Sequence, residues 1–376
     1  MAEPLRVHVN GKSLGIAEPG GAVRAGQRLV GAIARALPEA EVRVLLPAPA
    51  AGRSEPWAGP ANLLTDVLAE PPGPRILARQ LWEQVVLPRS LTRSRRRRPG
   101  GRDILFNPTN SAPVLFRPAM PQILLLHDLA FMERGWVDPA FARYLTFVAR
   151  RAAARGMAIA TVSETSAAAI RARLQPSGEV IVIPNGVDMP MAPPAPFTSE
   201  APFVLFLGSH NPRKNLRGML QAMQDLWQHH PDLVLRVAGA EKGIFADAGL
   251  APFAAERRVQ VMGYVDEATK WSLLAGAVCL VLPSFEEGFG LPIVEAMQVG
   301  TPVVASDIPV FRELFGGAFH PVDPQRPVDI ARGIGDILGD KALRRDLVAA
   351  GQEVAGRHSW EAAGRRHADA IRRLAG

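Results

Sequence analysis

The chain has 376 residues, more than one hydrophobic core sustains, so two domains are expected. Apolar residues at 48% and charged residues at 21% exclude wholesale disorder, and aromatics at 6% are too sparse for a base-stacking nucleic-acid surface. The lone cysteine, Cys279, excludes an intramolecular disulfide and a cysteine-built metal site, and points to a reducing compartment.

The opening segment MAEPLRVHVNGKSLG lacks a basic stretch followed by an apolar one, so no secretory leader is expected. Short runs rich in Val, Ile and Leu predict strands at 5–9, 42–46, 103–106, 122–126, 158–162 and 180–183. Alanine- and arginine-rich stretches between them, such as 22–36 and 139–155, predict helices. Short apolar strands alternating with helices read as a parallel sheet covered on both faces. The run MPMAPPAP at 189–196, with Pro202 beyond it, can continue neither a helix nor a central strand and reads as a linker.

The pattern then restarts. Strands are predicted at 203–207, 233–238, 259–265, 278–282 and 302–305, and helices at 215–228, 267–275, 292–298 and 327–338. A long polar-faced run follows from Lys341. No apolar run reaches the ~20 residues of a membrane span, so a soluble cytoplasmic protein is expected. The fold class is α/β: an N-terminal domain over 1–190, a linker over 191–202, and a second domain from 203. Two doubly wound domains of this kind imply a ligand cleft at the carboxyl ends of their strands.

The net charge of +7 is uneven. Residues 1–190 hold 24 Arg and Lys against 15 Asp and Glu, or +9, and the remainder holds 19 against 21, or −2. Arg93, Arg95, Arg96, Arg97 and Arg98 lie within six positions, before Pro99-Gly100-Gly101. Two readings stand for this run: a solvated, mobile loop, or a polybasic patch that attracts anionic lipid. Nucleic acid is not expected, because no helix-turn-helix, zinc-finger or RNP-type signature accompanies the charge.

Chemistry concentrates in two segments. The strand at 203–207 runs through Gly208-Ser209-His210-Asn211-Pro212 into the adjacent cations Arg213 and Lys214, then a helix. Amides at a helix start and two cations suit a diphosphate, although such a cation pair alone is also an ordinary surface feature. After the strand at 278–282 comes PSFEEGFGLPIVEAM at 283–297. Gly288 and Gly290 let backbone approach a ligand, Pro292 suits the first helical position, and Glu295 then falls in the first turn. Taken singly, Glu287 reads as a solvated loop carboxylate and Glu295 as a dipole-stabilising residue.

The two glutamates, eight positions apart across Gly-Phe-Gly-Leu-Pro, resemble the signature of the retaining nucleotide-sugar glycosyltransferases of family four, which have the GT-B fold. PRKN at 212–215, MGYV at 262–265, GTPVVASDIP at 300–309, LLLHDLAF at 124–131, ATVSE at 160–164 and IPNGVD at 183–188 share the resemblance. The closing HSWEAAG at 358–364 resembles the family's final helix, which implies a donor domain over 203–357 and a helix over 358–376 that returns toward the first domain.

The resemblance further implies roles. Lys214 with Arg213 would neutralise the donor diphosphate, and Glu287 would bind sugar hydroxyls beside the amides of Phe289, Gly290 and Leu291. Glu295 would accept from the ribose, and backbone at Gly263 and Tyr264 would meet the base. His127 would lie against the transferred sugar, and Gly20 and Gly21 would form the glycine turn of the acceptor-binding domain. Ser209 stands where many relatives carry a phosphate-binding arginine. No metal and no cofactor is expected beyond the nucleotide-sugar co-substrate.

GDP-mannose is the favoured donor, with UDP-hexoses behind it, and the expected acceptor is a lipid-linked saccharide at an anionic membrane. The resemblance to exopolysaccharide and O-antigen mannosyltransferases carries that choice. A non-catalytic nucleotide-sugar-binding protein or a sugar-nucleotide epimerase on the same fold are the competing classes. Removing Glu287 is expected to abolish transfer and leave the fold intact.

Overall fold

The structure, a computed structural model, describes residues 3–16, 20–48, 59–116, 118–188, 190, 192–239 and 256–376. They fall into two compact units. Residues up to Leu129 with Arg143–Gly186 and Trp360–Gly376 form the first, and Ala130–Ala142 with Val187–Ser359 form the second. Met191, where the predicted linker begins, lies outside the described residues. From 192 to 202 the chain has no helix or strand, and Phe197 fastens it: its amide donates to the Ser272 carbonyl, and its ring packs edge-on against Phe203 beneath the Arg236 guanidinium.

The elements of the first half are, in chain order, β1 (Leu5–Asn10), α1 (Gly21–Ala36), β2 (Glu41–Pro47), β3 (Leu63–Leu68), α2 (Arg75–Leu81), a π-helical turn (Trp82–Val86) and α3 (Leu87–Arg97). They continue with β4 (Arg102–Asn107), β5 (Gln122–Leu125), α4 (Pro139–Ala154), β6 (Ala158–Thr161), α5 (Glu164–Leu174) and β7 (Val180–Val182). The seven strands pair in parallel in the order β3-β2-β1-β4-β5-β6-β7. Strands β1, β5 and β6 are buried along their whole length, as a sheet covered on both faces requires.

Two elements depart from the sequence reading. Strand β3, with sequence LLTDVL, is a half-exposed edge whose polar interruptions hide the apolar run. The arginine run is helix rather than loop: Arg93, Arg95, Arg96 and Arg97 close α3, which buries Leu87 and Leu91 while its arginines face solvent. Cations at a helix C-terminus are favourably placed against its dipole.

The second half contains β8 (Phe203–Leu207), α6 (Leu216–Leu226), β9 (Val234–Ala238), β10 (Val259–Gly263), α7 (Glu267–Gly276), β11 (Leu280–Leu282) and α8 (Leu291–Gln298). After these come β12 (Val303–Ser306), α9 (Pro309–Phe315), β13 (His320–Val322), α10 (Pro327–Gly339), α11 (Lys341–Gly356) and α12 (Trp360–Ala375). Six parallel strands run in the order β10-β9-β8-β11-β12-β13, the doubly wound arrangement with its switch between β8 and β11. Val204, Phe206, Val281 and Val304 of the sheet meet Met219, Leu220 and Met223 of α6 in one apolar core.

Helix α12 packs on α1 within the first unit. A Cβ added at Gly364 would lie 2.7 Å from the Ala32 backbone, so glycine sets how closely the two helices approach. This unit also buries a charge: Glu83, on the π-helical turn, has no exposed surface. It accepts from Asn10 Nδ2 at 2.8 Å, Lys12 Nζ at 2.8 Å, and the Ser111 and Tyr144 hydroxyls at 2.6 Å each. Burial pushes its carboxyl pKa up, but the Lys12 ammonium and these donors outweigh that and hold it below the usual range.

Four segments distant in sequence are joined through this one carboxylate. Glu83→Gln would leave the Lys12 ammonium without its counter-charge, at a cost of about 3–5 kcal/mol in urea-unfolding free energy. Adding Lys12→Met should recover part of the loss, and an unchanged midpoint in the single variant would show that the cluster does not support the fold.

Candidate active site

The switch point of the second sheet lies where β8 and β11 diverge, and the predicted cations and glutamate follow these two strands. Beyond β8, Asn211 opens a short 3-10 turn over Pro212–Lys214, and its side chain accepts from the Arg213 amide at 2.9 Å. Asn215 then takes left-handed backbone (φ 57°), its side chain accepting from the Gly218 amide to cap α6 and donating to the Pro324 carbonyl. Two asparagines thus bracket Arg213 and Lys214 and fix their direction.

Both cations reach Glu287. Lys214 Nζ lies 2.5 Å from Oε1 and Arg213 Nη1 lies 2.8 Å from Oε2, while the buried Ser284 hydroxyl donates to Oε1 at 2.8 Å. Arg213 also donates to the Glu286 carbonyl, and the Phe285 amide donates to the Arg213 carbonyl, so the two loops are tied by backbone as well as charge. Glu287 is 8% exposed, which overturns its reading as a solvated carboxylate. Burial raises its pKa, but the charges of Arg213 and Lys214 and their hydrogen bonds prevail and lower it to about 2.

Glu295 is placed differently. Helix α8 starts at Leu291 after Gly290, so Pro292 is its second residue and Glu295 lies in its second turn rather than the first. Its charge partner is Lys270 of α7, 2.6 Å away, whose buried ammonium also meets Glu267. Each signature glutamate therefore has cations of its own.

Glycines shape the backbone around them. Gly290 has φ 99°, and a Cβ there would meet the Phe311 ring at 2.8 Å, so conformation and space both demand glycine. Gly208, Gly239 and Gly263 follow or end the adjacent strands β8, β9 and β10, and a Cβ at Gly239 would fall 1.9 Å from the Gly208 carbonyl. Gly263 has φ 64° with open space where a side chain would lie, and Tyr264 beyond it is exposed. Gly288 and Phe289 are buried; the Phe289 ring packs edge-on against Phe315 and His358, so only its backbone is free for a ligand role. Leu291 opens α8 before its first internal bond, from the Ile293 amide to the Gly290 carbonyl.

In the first unit, His127 lies two residues beyond β5. Its amide donates to Asn110 Oδ1 at 3.0 Å, and its carbonyl accepts from the Ser166 hydroxyl at 3.1 Å. The ring is buried and bonds the Pro108 carbonyl, and since Nε2 has no partner among the described residues, Nδ1 makes that bond. Burial pushes its pKa down, against the nearby Asp128 charge, so His127 is neutral near pH 7 with Nε2 as an acceptor. Gly20 caps α1 and Gly21 is its first residue, with open space where a Cβ would stand. Residues 17–19 of the loop before it lie outside the described residues.

Sequence reasoning did not single out Ser284, Lys270, Asn110 or Ser166. Lys270 had a signal, as one of five lysines in a chain otherwise basic through arginine. The other three are ordinary polar residues whose position only the fold reveals.

A carboxyl pKa of about 2 has a sign consequence. A lowered carboxylate pKa contributes stability above its ordinary value of 4.5, and that contribution is lost as pH falls toward 2. On the order of 3 kcal/mol of unfolding free energy should drain from the protein across this window. Glu287→Gln should start less stable at pH 7 and show a flatter profile, a loss of stability that sets a limit on how far the fold is expected to stay intact without this carboxylate. Parallel pH profiles in thermal unfolding would contradict the cluster's role.

The chain matches the family described as Glycosyltransferase Family 4 over residues 26–189, and that described as Glycosyl transferases group 1 over residues 192–354. It is similar to O-antigen chain mannosyltransferase B of Escherichia coli, with 35% identity over 42% of each chain. Phosphatidyl-myo-inositol mannosyltransferase of Mycobacterium tuberculosis is 34% identical over 48% of this chain and 51% of that one. The chain thus spans about half the length of the curated relatives it matches.

Among solved structures, sucrose-phosphate synthase from Thermosynechococcus elongatus superposes with a TM-score of 0.77 over 99% of both chains at 19% identity. Anabaena HepE in complex with UDP-glucose gives 0.71 over 98% of this chain and 100% of that one at 18% identity, a likeness of fold. Two family matches meeting near residue 190, on two doubly wound parallel sheets, place this chain among the group 1 and family four glycosyltransferases of the GT-B fold.

Proposed function

We propose that the chain transfers a hexose, with mannose from GDP-mannose as the favoured donor, to a saccharide acceptor on a polyprenyl-diphosphate lipid, with retention of configuration. The observation that carries this reading is the trio at the sheet switch: two cations, Arg213 and Lys214, converge on the buried Glu287 carboxylate where the loops after β8 and β11 meet. A nucleotide diphosphate leaving group develops negative charge as the glycosidic bond breaks, and fixed cations stabilise that charge most where water is excluded.

In this reading Lys214 and Arg213 receive the diphosphate. Glu287 holds both cations in place and accepts from the sugar hydroxyls. The Glu295 carboxylate, steadied by Lys270, accepts from the ribose, and the amides around Gly290 and Leu291 approach the donor. His127 offers its bare Nε2 to a hydroxyl of the transferred sugar. The departing phosphate takes the acceptor's proton on the same face. No metal or further cofactor enters this scheme.

The curated relatives named as mannosyltransferases support mannose, and their named acceptors, an O-antigen chain and phosphatidyl-myo-inositol, support a membrane-borne acceptor. A UDP-hexose donor is the second reading, favoured by the HepE structure with UDP-glucose. The work would be done at the cytoplasmic face of the membrane; among the described residues no helix is long and apolar enough to cross one.

A donor panel read by product formation, with the anomeric configuration assigned by NMR, tests the assignment, and an inverted product would refute retention. Conversion of the donor without acceptor would favour an epimerase. Lys214→Ala should lower donor affinity about 10–100-fold, as a charge-assisted contact requires, with Arg213→Ala costing less. Equal calorimetric affinity in both variants and the parent protein would remove the phosphates from this site.

A further inference from the structure

We propose that His358 is a positioning residue for the glutamate loop at 285–291, and that it couples this loop to two points where the chain passes from one unit to the other, 186–187 and 359–360. The inference rests on the reading of that loop as part of a nucleotide-sugar site and adds a residue that reading does not use.

Between Glu287 and Leu291 the sequence is Gly-Phe-Gly, so the Phe289 ring is the one side chain there that can fasten the backbone. The ring is buried and stands edge-on to two others, His358 at 5.3 Å and 86° and Phe315 at 6.2 Å and 82°. His358 meets Phe315 at 6.4 Å and 71°, which closes a triangle of rings. Phe311 and Phe319 extend the cluster, so four of the chain's 15 phenylalanines gather beside this one loop. Rings set edge against face fix direction as well as distance, and a shift of His358 is therefore felt at Phe289.

Phe311 and Phe315 belong to α9 and Phe319 follows it, all buried in the second unit. His358 comes from elsewhere. It follows α11, its amide donates to the Ala355 carbonyl at 3.0 Å, and its carbonyl accepts from the Val187 amide at 3.2 Å. Val187 and Ser359 pair beside it in a parallel β-bridge. Val187 begins a stretch of the second unit and Ser359 ends it, just before α12. One residue thus holds the loop with its ring and both passages of the chain with its backbone. A ligand that orders the loop must, by linkage, also steady the passages, through contacts that are continuous from ring to carbonyl.

Hydrogen exchange on the unliganded protein, followed by calorimetry with GDP and with UDP, is the test. His358 is half-buried, so its removal should leave the fold standing. In His358→Ala the amides of 285–291 and of Val187 should both exchange about tenfold faster, since two ring contacts are lost. Phe289→Leu should also speed exchange at Val187, although its own contact is with the His358 ring. His358→Ala should weaken whichever nucleotide binds the parent protein about tenfold, and His358→Phe should restore both affinity and exchange.

Faster exchange confined to the loop, with Val187 unmoved in both variants, would overturn the coupling. Unchanged nucleotide affinity in His358→Ala would reduce His358 to a packing residue and overturn its positioning role. Failure of both nucleotides to bind the parent protein would count against the donor reading instead, and exchange on the unliganded variants would still decide the coupling.

Discussion

A carboxylate without water must be neutralised, and the carboxyl end of the second sheet is organised by that demand at Glu287. The two cations that answer it arrive on a different loop, so the ends of β8 and β11 must converge, and Asn211, Asn215 and Ser284 hold the side chains where they meet. The chain could satisfy one carboxylate with one cation. Supplying two leaves neither carboxylate oxygen of Glu287 without a cation, so the buried charge is compensated at both ends. Gly239 serves the same end, because a side chain there would strike the Gly208 backbone, and a Cβ at Gly290 would strike the Phe311 ring behind the glutamate loop.

Much of this architecture was legible in the sequence because parallel strands buried on both faces read as short apolar runs. β1, β4, β5, β8 and β11 announce themselves in that way. β3 does not, since an edge strand needs apolar residues on fewer positions. The arginine run was misread because composition speaks of solvent exposure and not of conformation: α3 is held by Leu87 and Leu91 on its inner side, while its outer side has the composition of a loop.

At the site, residue types were legible and partners were not. Lys214, Arg213 and Glu287 could be picked out by spacing, but nothing in spacing says that Glu287 meets the cations while Glu295 meets Lys270. Pairing depends on strand order, and strand order crosses the sheet in a sequence that neighbouring residues do not encode. The buried Glu83 cluster makes the same point, since its five side chains come from four separate segments of the chain. No local window contains it.

The close contact between Gly364 and Ala32 has a bearing on how the protein is made. The first unit takes in the final helix, so the helix that covers α1 is translated some 330 residues after it, with the whole second unit in between. During synthesis the second unit can complete its sheet and core while the first still shows the side of α1 around Ala32 to the surrounding medium. A ribosome-bound chain stalled before residue 360 would therefore hold one finished half and one sticky half. Such a nascent chain has to keep that surface from other chains until α12 emerges to cover it.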